Sequence, residues 1–227
     1  MPASPTAPPH LALLGAGAVA TELALLWAAA GAHLTVWARN PERLGWLLDD
    51  VLEEHPDARL EAAPTALAAV ESAGLVVPAL PWGEQLTGLL RALAGALPGR
   101  TVIDVANAYE MTALGPKLAH YVPGGSAAAA TAAALPPDTG HVHAFTHVRS
   151  DALSAGAAAG APLPYVSNGL EHDDAAAALA ATGWLPVRVG DIADAAEIEA
   201  SGSWDRAAGR SGLGVATLED ARALGLL

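Results

Sequence analysis

The stretch from Leu11 to Asn40, LALLGAGAVATELALLWAAAGAHLTVWARN, decides the fold. An apolar run at Leu11–Leu14 leads into Gly15-x-Gly17-x-x-Ala20, then a helical segment over Val19–Ala30 and a second apolar run at His33–Ala38. Strand, small-residue turn, helix and strand within about 30 residues make the βαβ unit of dinucleotide-binding proteins. Each small residue has a physical reason. Gly15 permits the tight turn, Gly17 has no side chain to block a pyrophosphate, and Ala20 lets the helix pack closely on the strand. The helix amino end then offers unpaired N–H groups to the anion.

The second strand of this unit ends in Arg39, with Asn40 beside it and Arg43 one turn into the next helix. A reader of NAD typically carries an acidic residue at this point for the ribose hydroxyls. Arginine instead presents a planar fork of donors suited to a phosphate monoester. NADP is therefore the expected cofactor, with a solvated surface arginine as the competing reading. Asn40-Pro41 also supplies an N-cap and a proline at the first helical position.

Beyond this unit, short apolar runs alternate with alanine-rich helical stretches. Strands are expected at Leu75–Ala79, Thr101–Val105, His141–Phe145, Tyr165–Ser167 and Pro186–Val189, and helices at Pro41–Glu54, Glu84–Leu97, Ser126–Leu135 and Asp173–Thr182. This alternation predicts an α/β fold, a doubly wound, mostly parallel sheet of Rossmann type, covered on both faces. Pro78 lacks a ladder donor, so its strand should be short or bulged. Three segments are expected: a disordered leader over residues 1–9, an NADP-binding domain over 10–190, and a loop and helical extension over 191–227. In that extension Ser201–Gly214 reads as a glycine-rich loop, and Thr217 with Asp220 forms a capping box for a final helix.

Composition excludes several functions. A net charge of −13 argues against a nucleic-acid partner and against anionic membranes. No cysteine is present, so thiol catalysis and disulfides are absent, and Lys117 is the sole lysine. The apolar segment Leu11–Leu34 is read as a buried βα unit and not a membrane span, because Gly15, Gly17 and Glu22 interrupt it. A soluble cytoplasmic protein is the expectation.

The stretch HVHAFTHV, His141 to Val148, raises a separate question, with three histidines in seven residues. As a strand it places His141, His143, Phe145 and His147 on one face. No metal is expected, because helices cover that face and Asp151 is the one carboxylate nearby. His141 and His143 are read as structural. His147, past the carboxyl end of the strand, is the candidate contact for an acceptor. Asp104 is read as capping the turn after its strand, and Trp82 and Tyr109 are aromatics that could stack on an aromatic acceptor, with an ordinary loop position as the competing reading.

The chain resembles the deazaflavin-dependent NADP reductases, the coenzyme-dependent NADP oxidoreductase family. The resemblance runs from about His10 to Glu199 and rests on LLGAGAVATELA, ARNPERL, VVPALPWGEQLTGLL followed by GRTVIDVAN, and GGSAAAATAAALPPDTGHVHAFTHV, with YVSNGLEHDDAAAALAATGWLPVRVGDI as the next unit. It implies hydride transfer between NADP and a deazaflavin or another small redox acceptor. Carried over by residue, it implies a pyrophosphate loop of Gly15, Gly17, Ala18 and Val19, and a 2′-phosphate site at Arg39 and Arg43. Leu80 and Pro81 would line the adenine-ribose and pyrophosphate side. Asn107 and Ala108 would approach the nicotinamide end, with Ala144 and Phe145 framing its carboxamide. The family's Lys-Ala-Phe-Asn is here His143-Ala144-Phe145-Thr146, and Ser201–Leu227 has no counterpart, which leaves the acceptor open.

The expected partner is a small-molecule redox acceptor, and a homodimer is an allowed assembly. A keto-acid or imine reductase is the second enzyme reading, weakened because little chain follows Val189 to build a large helical domain. A non-catalytic NADP sensor or assembly module is the alternative outside enzymology.

Overall fold

The computed structural model describes residues 8–172, 174–209 and 214–227. The expected leader falls outside these residues except for Pro8 and Pro9. The carbonyl of Pro9 accepts the backbone N–H of His33 at 2.9 Å, so the sheet's bonding already begins there.

The chain runs β1 (His10–Leu14), α1 (Ala18–Ala29), β2 (His33–Trp37), α2 (Pro41–Glu54), β3 (Arg59–Ala62), α3 (Ala66–Ser72), β4 (Leu75–Pro78), α4 (Glu84–Ala92) and β5 (Thr101–Asp104). A hairpin follows, β6 (Tyr109–Thr112) and β7 (Gly115–Leu118), then α5 (Ala127–Ala132), β8 (Gly140–Ala144), α6 (Leu153–Ala159) and β9 (Pro162–Ser167). The chain ends with α7 (Asp174–Ala181), β10 (Leu185–Asp191), a 3-10 segment at Ile192–Glu197, α8 (Ser203–Ala208) and α9 (Leu218–Ala223). Eight strands form one sheet in the order β10-β9-β8-β5-β4-β1-β2-β3. All neighbours are parallel except β8 and β9, so the expected doubly wound, mostly parallel sheet is what forms.

Parallel strands buried on both faces read as near-continuous apolar runs, which is why the central strands were legible. One face buries Leu11, Leu13, Val36 and Val142 against Trp27 of α1, Leu47 of α2 and Leu179 of α7. The other buries Ala12, Val76 and Val102 against Val70 of α3 and Leu86 and Leu90 of α4. The C-terminal segment is part of this packing: Ala195, Ile198, Trp204, Val215 and Ala221 close over Val166 of β9 and Ala128 of α5.

Several local expectations hold. Asn40 caps α2 by accepting from the N–H groups of Glu42 and Arg43, with Pro41 at the first turn. Pro78 ends a four-residue strand, the short form of the two anticipated. Thr217 and Asp220 form the reciprocal capping box of α9.

Others need correction. The strand at His141 stops at Ala144, because Phe145 takes a left-handed φ of 62°. Alternation breaks there, and Phe145 packs with Ala144 and Val142 instead of sharing a face with His141 and His143. The last turn expected of α4 is absent, and α8 occupies part of the expected Ser201–Gly214 loop, of which residues 210–213 lie outside the described set. β9 begins earlier than expected despite Pro162 and Pro164. Its pairing with β8 covers only Tyr165–Ser167, so on that side the prolines forfeit no ladder bond.

Trp27 is fully buried and its indole donates to the Ala178 carbonyl at 2.8 Å, joining α1 to α7 across the sheet's first face. Trp27→Ala should therefore cost about 3–5 kcal/mol in a urea unfolding measurement, through the cavity and the orphaned carbonyl together.

Candidate functional site

The Gly15-x-Gly17 turn sits at the carboxyl end of β1, where its two glycines do different things. Gly15 has φ 127°, donates its N–H to the Trp37 carbonyl at 2.7 Å, and lies so close to β4 that a Cβ would press into the Ala79 carbonyl. Its need is internal to the fold. Gly17 has ordinary φ, and a Cβ built there would meet nothing within 4 Å. It caps α1 with no side-chain hydrogen bond, so the first-turn N–H groups are free to receive an anion. A pyrophosphate fits this place, since the backbone donors and the open space coincide.

That space is part of a cleft of about 530 Å³ across the carboxyl ends of β1, β4, β5 and β8. It lies at the point where the chain leaves β1 for β2 on one side and returns to β4 on the other, the usual ligand position in open α/β sheets. Of the residues singled out from sequence, Gly17, Ala18, Val19, Leu80, Pro81, Asn107 and Phe145 line it together. Arg39, Asn40 and Arg43 form a separate exposed concavity at the end of β2. There Arg39 makes one long contact, 3.4 Å to Gln85 Oε1, leaving its guanidinium available, whereas the Asn40 carboxamide oxygen is occupied in capping α2.

Two of the expected contacts do not face the cleft. Ala144 is wholly buried in the sheet, and Ala108 lines an adjoining cavity of about 170 Å³ with Glu199 and Ala200. Asn107 does more than approach a ligand. Its Nδ2 donates to the Thr146 carbonyl at 2.8 Å and its Oδ1 accepts from Ala200 N–H at 2.7 Å. It pins the loop after β5 to the loop after β8 and to the C-terminal segment. Tyr109, one of the two aromatics that could stack on an acceptor, does line the cleft, whereas sequence reasoning missed Arg149, Asp151 and Asp205 beside it. These arrive from the loop after β8 and from α8, and no motif marks them. Arg149 and Asp151 hold each other in a two-bond pair at 3.0 and 2.5 Å, which lowers the Asp151 carboxyl and raises the arginine. Burial, then the Asp205 charge, pushes the Tyr109 phenol up.

His147 is corrected by the structure. Only 3% exposed, its side chain is absent from the cleft wall. The left-handed turn at Phe145 directs it inward, where its ring meets Trp184 and Trp204 edge to face at centroid distances of 5.7 and 6.3 Å. Burial pushes its pKa down to about 4.

The expectation that Asp151 is the carboxylate near the histidines also fails. Strand register places Asp104 directly opposite His143 and Val102 opposite His141. Asp104 does cap its own turn, accepting from Ala106 N–H at 3.0 Å, as the sequence suggested. Its other oxygen, Oδ2, stands 3.1 Å from His143 Nδ1 and 3.6 Å from His141 Nε2, all three residues being buried. The far nitrogen of His143, Nε2, lies 3.2 Å from Glu199 Oε1. Glu199 in turn accepts from the N–H groups of Ala127 and Ala128 at the start of α5. Burial alone would lower the His143 pKa, but the Asp104 and Glu199 charges hold it up at about 9. Against its own burial, Asp104 is held well below the usual carboxylate range, chiefly by the His143 charge.

Fold and cleft together define a Rossmann-type α/β protein, the class whose clefts take dinucleotides. Residues 10–108 match the family described as NADP oxidoreductase, coenzyme F420-dependent, the family that the quoted motifs resemble. The match spans β1 to Ala108 and stops short of the HVHAFTHV strand, so the resemblance is borne out over a shorter stretch than the sequence reading gave it. The family is one of NADP-dependent oxidoreductases, in line with the expected cofactor and reaction class. The chain is also 38% identical over 109 residues to a glycerol-3-phosphate dehydrogenase (NAD(P)+) of Moorella thermoacetica, 44% of this chain but 32% of that protein. It thus spans about a third of that relative's length. Three solved structures share the fold. A hypothetical protein from Sinorhizobium meliloti aligns over 86% of this chain and 91% of its own at 21% identity, TM-score 0.64. A protein assigned as an F420-dependent NADP reductase from Arthrobacter sp. FB24 aligns over 82% and 86% at 22% identity, TM-score 0.66. A Streptomyces aurantiacus imine reductase aligns over 80% and 56% at 18% identity, TM-score 0.58. Among the described residues no helix is long and apolar enough to cross a membrane.

Two predictions arise from this geometry. Gly17→Val should keep a native circular dichroism spectrum and lose NADPH binding, whereas Arg39→Ala should bind NADPH at least tenfold more weakly, about 1.4 kcal/mol, with NADH affinity unchanged in calorimetric titration. The second concerns pH. Folded His147 resists protonation down to about 4, while an unfolded imidazole protonates below about 6.5. Its contribution is therefore complete above pH 6.5 and shrinks as pH falls toward 4, by up to about 3 kcal/mol. Urea midpoints measured across that range should flatten in His147→Phe relative to the parent.

Proposed function

We propose that this chain is an NADP(H)-dependent oxidoreductase of the cytoplasm, passing hydride between the nicotinamide and a small redox acceptor held beside it, with no nucleic-acid or membrane partner. The observation that carries the reading is the single cleft in which the uncapped α1 amino end, Leu80, Asn107 and Phe145 meet at the carboxyl ends of four strands. Gly17, Ala18 and Val19 would hold the pyrophosphate, Arg39 and Arg43 the 2′-phosphate, and Phe145 the edge of the nicotinamide. Bound there, NADPH supplies the hydride, and the protein's task is apposition and exclusion of water.

The cleft wall supports an acceptor that is itself a ring system such as a flavin or deazaflavin. Val19, Leu80, Pro81, Val105 and Phe145 make much of the lining, and the Arg149–Asp151 pair satisfies its own charges. Ring-to-ring hydride transfer asks for parallel surfaces and little acid–base help. Reduction of a keto acid or imine would ask for a proton donor, and Tyr109, whose phenol is pushed up by burial and then by the Asp205 charge, is the lining residue suited to that role.

The deciding experiment is NADPH oxidation by the protein against flavins, a deazaflavin, ferric chelates and quinones, alongside keto acids and imines, in the parent and in Tyr109→Phe. The proposal expects turnover with a ring acceptor that Tyr109→Phe changes less than threefold. Turnover confined to keto acids or imines and lost in Tyr109→Phe would establish the second reading. Tight NADPH binding with no oxidation by any acceptor would make the protein a sensor.

A further inference from the structure

The buried group formed by Asp104, His141 and His143 takes no part in the cleft, although it lies just beneath it. Its three ligand-type atoms, Asp104 Oδ2, His141 Nε2 and His143 Nδ1, lie within 4.8 Å of one another with all three side chains buried. As an arrangement of hydrogen bonds it is poor. Asp104 Oδ2, both nitrogens of His141 and both nitrogens of His143 lack an aligned hydrogen-bond partner. The carboxylate oxygens stand 3.1 and 3.2 Å from the His143 nitrogens, but off the direction of the ring N–H groups. Five polar atoms left this way in a dry interior would carry a heavy desolvation cost. A feature that satisfies three of them at once is a cation between them.

We propose that Asp104, His141 and His143 form a binding site for a zinc-class divalent ion that bolts β5 to β8. Nitrogen and oxygen donors without thiolate suit such an ion, which binds imidazole and carboxylate at about 2.0–2.2 Å in tetrahedral geometry. Two ligands at that range subtend about 3.3–3.5 Å, and the contacts to Asp104 Oδ2 of 3.1 and 3.6 Å bracket this span.

The surroundings are those of a metal site. With Nδ1 on the ion, the His143 Nε2 N–H lies 3.2 Å from Glu199 Oε1, and a small rotation of the ring would align it with that carboxylate, the kind of partner that fixes the orientation of a metal-bound imidazole. Glu199 is itself held by Ala127 and Ala128 N–H at 2.9 and 3.0 Å. Charge also balances: one divalent ion neutralises Asp104 and Glu199, leaving both imidazoles neutral. A cavity of about 300 Å³ lined by Pro137, Thr139, His141 and Asn168 adjoins the group at His141, the side from which an ion would enter. The ion would fix the ends of the two strands whose following residues, Val105, Asn107 and Phe145, wall the cleft.

A second group, His10, His33 and Glu61, has similar spacing but is half exposed, and His10 Nε2 is already bonded to Thr35. It could capture metal adventitiously, so the test removes it. Untagged protein carrying His33→Ala, stripped with chelator, is titrated with Co²⁺ and then Zn²⁺. The expected result is one equivalent of Co²⁺ with a tetrahedral visible spectrum, proton release on binding, paramagnetically shifted resonances from two buried imidazoles, and displacement by Zn²⁺ with a raised melting temperature. Glu199→Gln should weaken affinity about 10–100-fold, and His141→Gln should remove the spectrum. If His141→Gln fails to fold, the shifted resonances of the His33→Ala protein decide by themselves. No Co²⁺ bound, or Co²⁺ bound without shifting those two imidazoles, overturns the proposal and leaves His143 a buried cation between two carboxylates.

Discussion

The close approach of Gly15 to the Ala79 carbonyl is the constraint from which the site follows. β1 is the central strand of the nucleotide-binding half, and its turn into α1 must pass directly over the end of β4. Only a residue without Cβ, in a backbone conformation that other residues avoid, can make that passage. Because it does, the amino end of α1 points over the gap between β1 and β4, and the neighbouring Gly17 faces open space. One glycine is needed by the fold and the other leaves open the space in which the proposed pyrophosphate would sit, though the sequence spells them alike.

The opposite wall of the cleft depends on β5 and β8. Their parallel register sets Asp104 against His143, and the loops that leave them are tied by Asn107 to Thr146 and Ala200. The C-terminal segment is therefore structural support for this wall. Glu199 reaches His143 and the start of α5, the Thr146 hydroxyl donates to the Ile198 carbonyl, and Trp204 covers His147. Burying so many polar groups behind a ligand cleft is costly, and such groups are retained where they fix one geometry of the wall.

The nucleotide half was legible because its signals are local. The run Leu11–Leu14, the glycine spacing and the Asn40-Pro41 cap each act within a few residues, and each appears where the sequence put it. β3 was invisible because it is an edge strand whose Arg59 and Glu61 replace the apolar run expected of the interior. The hairpin β6–β7 and α6 escaped for a related reason, being short and lacking apolar periodicity.

What the sequence determined by itself is the βαβ unit, the apolar central strands with several of their covering helices, and the arginine at the end of β2. Hydrophobic periodicity and glycine conformational freedom are properties of short stretches, so short stretches disclose them. What only the tertiary structure decided is which side chains meet. Asp104 joined His141 and His143 through strand register, across 37 and 39 positions of sequence. Glu199 arrived from the C-terminal segment, and His147 left the cleft for the space between two tryptophans because Phe145 turned the chain. Register and a single left-handed residue are decided by long-range packing, and no local pattern announces either.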